Sequence, residues 1–151
     1  MWPGGLPRLQ PDGEQAMTTK TGSCLCGARA YEIDGEIDAV WICHCSLCRK
    51  ASGGNGNAIL IVPRSQFRWV RGEDHGVTFA LRETYTITRC QTCGTPLPAE
   101  ADEANIYVTA GTLDVPLGKG IRTHLFCASR ADWDKDQDDV RYFDARSTGA
   151  G

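Results

Sequence analysis

The sequence predicts an all-β domain built from many short strands, and three observations support this prediction. The chain has 151 residues, which is the length of one domain with a single core. Apolar, aromatic and β-branched residues occur in short runs separated by turn residues such as Gly, Pro, Asn and Asp. Helical periodicity is almost absent. Together these features indicate a sandwich-like or barrel-like β domain.

Eight strands are predicted in chain order, each a short apolar or β-branched run that ends at a turn signal. The first ends at Asp34-Gly35 and the third at Pro63. The third run is nearly all apolar, which predicts a buried strand. The predicted strands are Ala28–Ile33, Ala39–Cys43, Ala58–Val62, Phe67–Val70, Val77–Leu81, Thr84–Thr88, Asn105–Ala110 and Thr123–Phe126. One short helix is predicted at Ser46–Ala51, closed by Ser52-Gly53-Gly54.

The two ends of the chain differ in composition from its middle. Residues 1–20 are rich in Pro, Gly and Gln and show no hydrophobic period, so we expect a flexible leader there. Residues 145–151 are expected to form a frayed tail. The folded domain is therefore predicted to span residues 21–144.

The charge balance and hydropathy exclude two classes of partner. Sixteen Lys and Arg against nineteen Asp and Glu give a formal net charge of −3. A weakly acidic chain has no general electrostatic attraction to nucleic acid or to an anionic bilayer. No run approaches the ~18 apolar residues that a membrane span needs. We therefore expect neither nucleic acid nor a membrane as a partner.

Eight cysteines are the most informative feature of the sequence, and seven of them lie in three tight knuckles. The knuckles are Cys24-x-Cys26, Cys43-x-Cys45-x-x-Cys48 and Cys90-x-x-Cys93. The opening residues Met1–Arg8 lack the basic segment and apolar run of a secretory signal, so we expect a cytoplasmic location. In a reducing cytoplasm clustered cysteines usually hold metal and seldom form disulfides. Gly27 and Gly94, each directly after a cysteine, would permit the tight turns.

The knuckles sort most simply into one closed and one open zinc site. Four cysteines would complete a tetrahedral site and join distant segments of the chain, so that metal binding contributes to folding; these are Cys24, Cys26, Cys90 and Cys93. Cys43, Cys45 and Cys48 would leave one coordination position for water or substrate, as in a catalytic zinc site. The spacing leaves an alternative open, in which this second site takes a fourth ligand and is structural; the candidates are His44, His75, His124 and Cys127.

The charge of the open site indicates its chemistry. One Zn²⁺ with three thiolates carries −1, which makes a weak Lewis acid but keeps a bound thiol electron-rich. Neither His-Glu-x-x-His nor Gly-x-Ser-x-Gly occurs, so thiol chemistry is favoured over hydrolysis. His44 lies inside the knuckle, and because histidine titrates near neutral pH it is a candidate catalytic proton carrier. Arg49 and Lys50 could hold a carboxylate of a peptide-like thiol or simply compensate the negative charge.

Six segments of the chain resemble the glutathione-dependent formaldehyde-activating enzyme family, which also includes centromere protein V-like proteins. They are Gly22–Gly27, Cys43–Lys50, Cys90–Leu97, Ala110–Asp114, His124–Phe126 and Ser129–Trp133. The resemblance implies a β-tent fold of several small coiled antiparallel sheets, with a structural zinc on the four-cysteine set and a catalytic-type zinc on the three-cysteine set. It also implies condensation of glutathione with formaldehyde to S-hydroxymethylglutathione, which is classed as a carbon–sulfur lyase reaction.

Three classes of function remain open from the residues. The first is a zinc enzyme that joins glutathione or another small thiol to an aldehyde, and the resemblance favours it. The second is a non-catalytic, zinc-stabilised module that binds a thiol or a protein partner. The third is an iron–sulfur electron carrier, because Cys-x-Cys and Cys-x-x-Cys also bind [2Fe–2S] clusters.

Overall fold

The computed structural model describes residues 18–82 and 85–135, together with Asp138, Val140 and Asp144. Within these residues the fold is all-β, as predicted, with one α-helix, α1 (Ser46–Ser52), and short 3-10 helices at Arg64–Gln66, Ala110–Thr112 and Cys127–Ser129. The strands are β1 (Lys20–Ser23), β2 (Ala30–Ile33), β3 (Val40–Cys43), β4 (Asn57–Pro63), β5 (Phe67–Arg71), β6 (Gly76–Arg82), β7 (Tyr85–Cys90), β8 (Ala99–Glu100), β9 (Asn105–Thr109) and β10 (Ile121–Leu125). None of the helices in the described ranges is long and apolar enough to cross a bilayer.

The strands form three small sheets. The first has the order β1-β2-β5, the second has the order β10-β3-β4-β9-β8, and the third is the two-stranded hairpin β6-β7. All pairs are antiparallel except β10 with β3, which is parallel. A parallel pair needs a crossover connection, and here the intervening strands β4 to β9 lie between its two members in sequence.

The main core lies between the first and second sheets. It is formed by buried side chains of alternating positions in four strands and one loop; these are Tyr31, Ile33, Ile37, Val40, Leu60, Val62, Ile106 and Val108. Strand β4, predicted to be buried, is buried on one face only. Leu60 and Val62 are fully enclosed, whereas Ile61 between them is 38% exposed. A nearly all-apolar strand therefore lies in a sheet that has one buried face and one solvated face.

Each of the eight predicted strands is present, with ends shifted by one or two residues. The strand predicted at Thr84–Thr88 is observed as β7, and residue 84 lies outside the described residues. Two short strands, β1 and β8, escaped prediction because their sequences carry no apolar pattern. Residues 1–17 of the expected leader and 145–151 of the expected tail are not described, and Lys20 begins β1 with its Nζ 2.6 Å from the Gly35 carbonyl.

Candidate metal centres and the adjoining cavity

Four cysteines from two segments far apart in sequence meet at one point. Cys24 follows β1, Cys90 ends β7, and Cys26 and Cys93 lie in the turns that follow. Their Sγ atoms all lie within 4.8 Å of one another. The distances are 3.5 Å from Cys24 to Cys26 and 3.8 Å from Cys26 to Cys90. Sulfur atoms on a tetrahedral zinc, with Zn–S bonds of about 2.3 Å, are roughly 3.8 Å apart, so this donor set fits Zn²⁺.

Two glycines give the knuckles of this four-cysteine cluster the same turn. Gly27 donates its N–H to the Cys24 carbonyl at 2.9 Å, and Gly94 donates to the Cys90 carbonyl at 2.8 Å. Their φ angles are +74° and +73°, in the left-handed region that glycine enters without strain. The prediction that these two glycines permit the turns is confirmed.

Hydrogen bonds in the four-cysteine cluster stabilise thiolates. The N–H of Arg29 donates to Cys24 Sγ at 3.3 Å. Thr95 Oγ1 accepts from the Leu25 N–H at 3.0 Å and lies 3.1 Å from Cys93 Sγ. The Thr95 side chain, followed by its backbone N–H, lowers the pKa of Cys93 to about 5. The cluster therefore presents an ionised sulfur ligand at neutral pH, which is the form that binds metal.

The second cluster forms where β3 ends and α1 begins. Cys43 is the last residue of β3, Cys45 is the N-cap of α1, and Cys48 lies in its first turn. The Cys48 N–H donates to Cys45 Sγ at 3.4 Å, so the sulfur takes the place of an N-cap oxygen. The three Sγ atoms lie within 4.8 Å of one another, and among the residues that the structure describes no histidine or carboxylate joins them.

His44 lies between two of these cysteines in sequence, but its ring contacts other groups. It is 1% exposed. Its Nδ1 is 3.0 Å from the Asn55 carbonyl, and its Nε2 is 2.9 Å from His124 Nδ1. Because a carbonyl can only accept, a neutral His44 carries its proton on Nδ1, and His124 then donates to Nε2. Both ring nitrogens are thus engaged away from the sulfurs.

A cavity of about 410 Å³ opens beside the three-cysteine cluster, and Cys43 and Cys48 form part of its wall. Tyr85 also lines it and donates its hydroxyl to Cys48 Sγ at 3.7 Å. Burial raises the pKa of Tyr85, and the hydrogen bond to Cys48 raises it further, so the hydroxyl stays protonated. The sequence analysis did not identify Tyr85 as a site residue, because no metal-binding or catalytic motif lies next to it in the sequence.

The predicted basic residues of α1 lie outside this cavity. Arg49 and Lys50 are not among the residues that line it. Arg49 Nε is buried and has no hydrogen-bond partner. Arg89 of β7 lines the cavity instead, and its guanidinium donates to the carbonyls of Ala51 and of Gly94. The assignment of a carboxylate to the two α1 residues stays a prediction.

Comparison with known proteins agrees with the fold and the clusters. The sequence model of one family, described as glutathione-dependent formaldehyde-activating enzyme, matches residues 19–129. The chain belongs to this family. A Halomonas elongata protein named "putative glutathione-dependent formaldehyde-activating enzyme" is 28% identical over 123 residues, which cover 74% of this chain and 77% of that protein. The resemblance drawn from the cysteine motifs is therefore confirmed.

A solved structure shares the fold of the family member described here. The crystal structure of a Rhodobacter sphaeroides protein superposes with a TM-score of 0.53 at 23% sequence identity. The match covers 69% of this chain and 98% of that one. The fold of this chain therefore agrees with an experimentally determined one.

Proposed function

We propose that the protein binds Zn²⁺ at both cysteine clusters and that the three-cysteine site holds a small thiol, glutathione or a similar one, for condensation with formaldehyde or another aldehyde. The observation that supports this most directly is the cavity wall. Cys43 and Cys48 of a cluster with three sulfur ligands face a space that a fourth ligand could enter. The family assignment supports the same chemistry.

The proposed reaction needs little from the protein beyond a deprotonated thiol in the right place. When bound, Zn²⁺ would keep the ligand thiol ionised at neutral pH. The thiol releases its proton to water, the thiolate sulfur forms a bond to the carbonyl carbon, the C=O π pair moves to oxygen, and that oxygen takes a proton back from water. The product is a hydroxymethyl thioether, and the reverse step is a carbon–sulfur lyase reaction. The Tyr85 hydroxyl lines the cavity and would bond to the developing negative charge on oxygen by turning its one proton away from Cys48 Sγ, to which it donates in the structure.

Three residues within or directly after the second knuckle keep their proposed roles. As a proton carrier, His44 would accept a proton at Nε2 from the exposed His124, which donates to that atom. Arg49 and Lys50 would contact a carboxylate only if the ligand extends beyond the cavity and over α1. Compensation of the negative cluster, the other role considered for these two cations, requires no contact with the ligand.

We also propose that the protein works in the reducing cytoplasm. All eight cysteines are free thiols in the structure, and seven of them are arranged as metal ligands. In an oxidising compartment such adjacent thiols would be expected to form disulfides.

The first prediction tests the assignment of the two sites. The purified protein should contain two zinc ions per chain and bind glutathione saturably in calorimetry. Cys45→Ser should retain about one zinc and lose thiol binding, because a closed Cys₄ site remains and the open one lacks a ligand. Cys127→Ser is the matched control, since Cys127 is exposed and outside both clusters. Equal zinc content in Cys45→Ser and the control would contradict the assignment.

The same samples distinguish the three classes of function. Formation of the thiol–formaldehyde adduct faster than in a protein-free blank identifies an enzyme, because the uncatalysed addition is already fast. Saturable thiol binding without acceleration identifies a non-catalytic binding module. Bound iron with visible absorbance instead of zinc would identify an iron–sulfur carrier and overturn the proposal.

A further inference from the structure

We infer that the cavity beside the three-cysteine cluster selects an uncharged thiol with an apolar or aromatic body over glutathione. The inference rests on the proposed function, since it concerns the thiol that this site holds. It follows from the charges of the cavity wall, from its apolar lining and from one strained aromatic residue at the cavity.

The described lining of the cavity contains few charged groups that could bind a charged ligand. Apart from the cysteines, the charged residues among its described lining are Arg89 and Glu100. Arg89 already donates to two backbone carbonyls, and Glu100 is paired with Arg64 at 3.0 Å. Glutathione carries two carboxylates and one ammonium group. Its two carboxylates would share the guanidinium of Arg89 as the one cation among the described lining residues, so one carboxylate would be buried unpaired, and the negative three-cysteine site would repel both.

Apolar side chains form much of the same wall. They come from four strands and two loops, so their meeting depends on the tertiary fold; they are Ile59, Ile87, Leu97, Leu125, Phe126 and Tyr107. Ile87 and Tyr85 lie two positions apart on β7 and therefore share one face of that strand. An apolar ligand body attached to the thiol would be removed from water by these side chains.

Phe126 supports an aromatic or apolar ligand in particular. Its φ of 55° makes it the one non-glycine residue with positive φ in the described part of the chain. Phenylalanine is strained there, and 65% of its side chain is exposed, so burial in this structure does not compensate the strain. The ring lines the cavity. A ligand that packs on the ring would remove its exposed surface from water.

The second prediction compares three thiols on the cobalt-substituted protein. Cobalt(II) reports a thiolate ligand by a change in its visible and near-ultraviolet spectrum. The thiols are phenylmethanethiol, 2-mercaptoethanol and glutathione, compared at matched thiolate concentration. We expect phenylmethanethiol to bind about tenfold more tightly than 2-mercaptoethanol, because its ring contacts the apolar wall. Glutathione should bind no more tightly than 2-mercaptoethanol.

Two pairs of variants locate the effect in the cavity. Phe126→Asn, with a residue that tolerates positive φ, should weaken phenylmethanethiol binding several-fold, leave 2-mercaptoethanol binding unchanged and raise the unfolding midpoint slightly, because the strain is relieved. Its control is Phe79→Thr, which removes a half-exposed ring outside the cavity. Ile87→Thr should act in the same way as Phe126→Asn, with Val77→Thr on the neighbouring strand as its control.

The possible failures are distinguishable. Tighter binding of glutathione than of 2-mercaptoethanol would overturn the inference and leave the proposed function standing. The same loss for all three thiols in Phe126→Asn would also overturn it, because the residue would then act on the site and not on the ligand body. If none of the three thiols changes the cobalt spectrum, the proposed function itself fails.

Discussion

Thr95 connects the two halves of the four-cysteine cluster through a single oxygen atom. Its hydroxyl accepts from the Leu25 N–H in the first knuckle and lies within hydrogen-bond distance of Cys93 Sγ in the last. Donation of the hydroxyl proton to the sulfur is consistent with the lowered pKa of Cys93. One side chain therefore positions a turn and also favours the metal-binding form of a ligand.

The third prediction removes this hydroxyl. In Thr95→Val the pKa of Cys93 should rise, so protons compete with zinc at a higher pH. The midpoint of zinc release on acidification should move upward from that of the native protein. The unfolding free energy should fall by about 1 kcal/mol, because the Leu25 N–H loses its partner. Zinc release against pH and denaturant unfolding measure the two effects.

Thr123→Val is the matched control for this substitution. Thr123 lies in β10 and belongs to neither cluster, and Val suits a strand at least as well as Thr. The control should leave zinc release unchanged. An unchanged pH midpoint in Thr95→Val would show that the hydroxyl does not determine the state of Cys93.

At the scale of elements, the stability of the short helix α1 depends on the residues that cap its two ends. Helix α1 has seven residues, too few to be stable alone in water. Its N-cap is Cys45, and its C-cap is Gly53 with φ of 74°. Metal binding at the three-cysteine cluster would therefore stabilise the helix, and helix formation would in turn position Cys45 and Cys48 for the metal. The predicted helix was correct because the cap residues and the closing glycines are local signals.

The fourth prediction concerns the glycine turns of the knuckles. Gly94→Ala should destabilise the protein by about 1 kcal/mol and reduce zinc affinity, because alanine is strained at φ of +73°. Gly111→Ala is the control, since neither glycine has an atom within 4 Å of an added Cβ and only Gly94 has positive φ. Thermal unfolding and chelator competition measure both. Equal effects of the two substitutions would contradict the role of the turn.

At the scale of the whole molecule, the four-cysteine cluster links the first sheet to the hairpin β6-β7. Cys24 and Cys26 follow the first sheet, whereas Cys90 and Cys93 end the hairpin β6-β7. A two-stranded hairpin is marginally stable on its own. The first sheet also reaches toward this hairpin through Arg29, whose guanidinium donates to the Glu73 carbonyl at 2.5 Å. Metal at this cluster would hold the hairpin, and with it Tyr85 and Ile87 of the cavity, against the rest of the domain.

The fifth prediction follows from this link between sheets. Cys24→Ser should lower the unfolding midpoint by about 10 °C or more, because a site that joins distant segments contributes to folding. Cys45→Ser should lower it much less, since its cluster lies within β3 and α1. Chelation of the native protein should reproduce the larger loss. Equal losses in both variants would show that the three-cysteine site is structural as well.

The sequence by itself determined eight of the ten described strands, the short helix, the cysteine knuckles and the two glycine turns. Each of these depends on residues within a few positions of one another, so local patterns are sufficient to predict them. The short strand β1 was missed because its residues carry no such local pattern. Its four residues form a strand only through pairing with β2.

Only the tertiary structure decided which side chains and which cavity surround the cysteine knuckles. It directed the His44 ring toward His124 and Asn55, and it excluded Arg49 and Lys50 from the cavity lining. It also brought Tyr85 and other distant residues to the three-cysteine cluster. The four-cysteine set was predictable although its members are far apart in the chain, because metal ligands come in recognisable knuckles. The other arrangements depend on how separate sheets pack, and such contacts leave no periodicity or spacing in a single sequence.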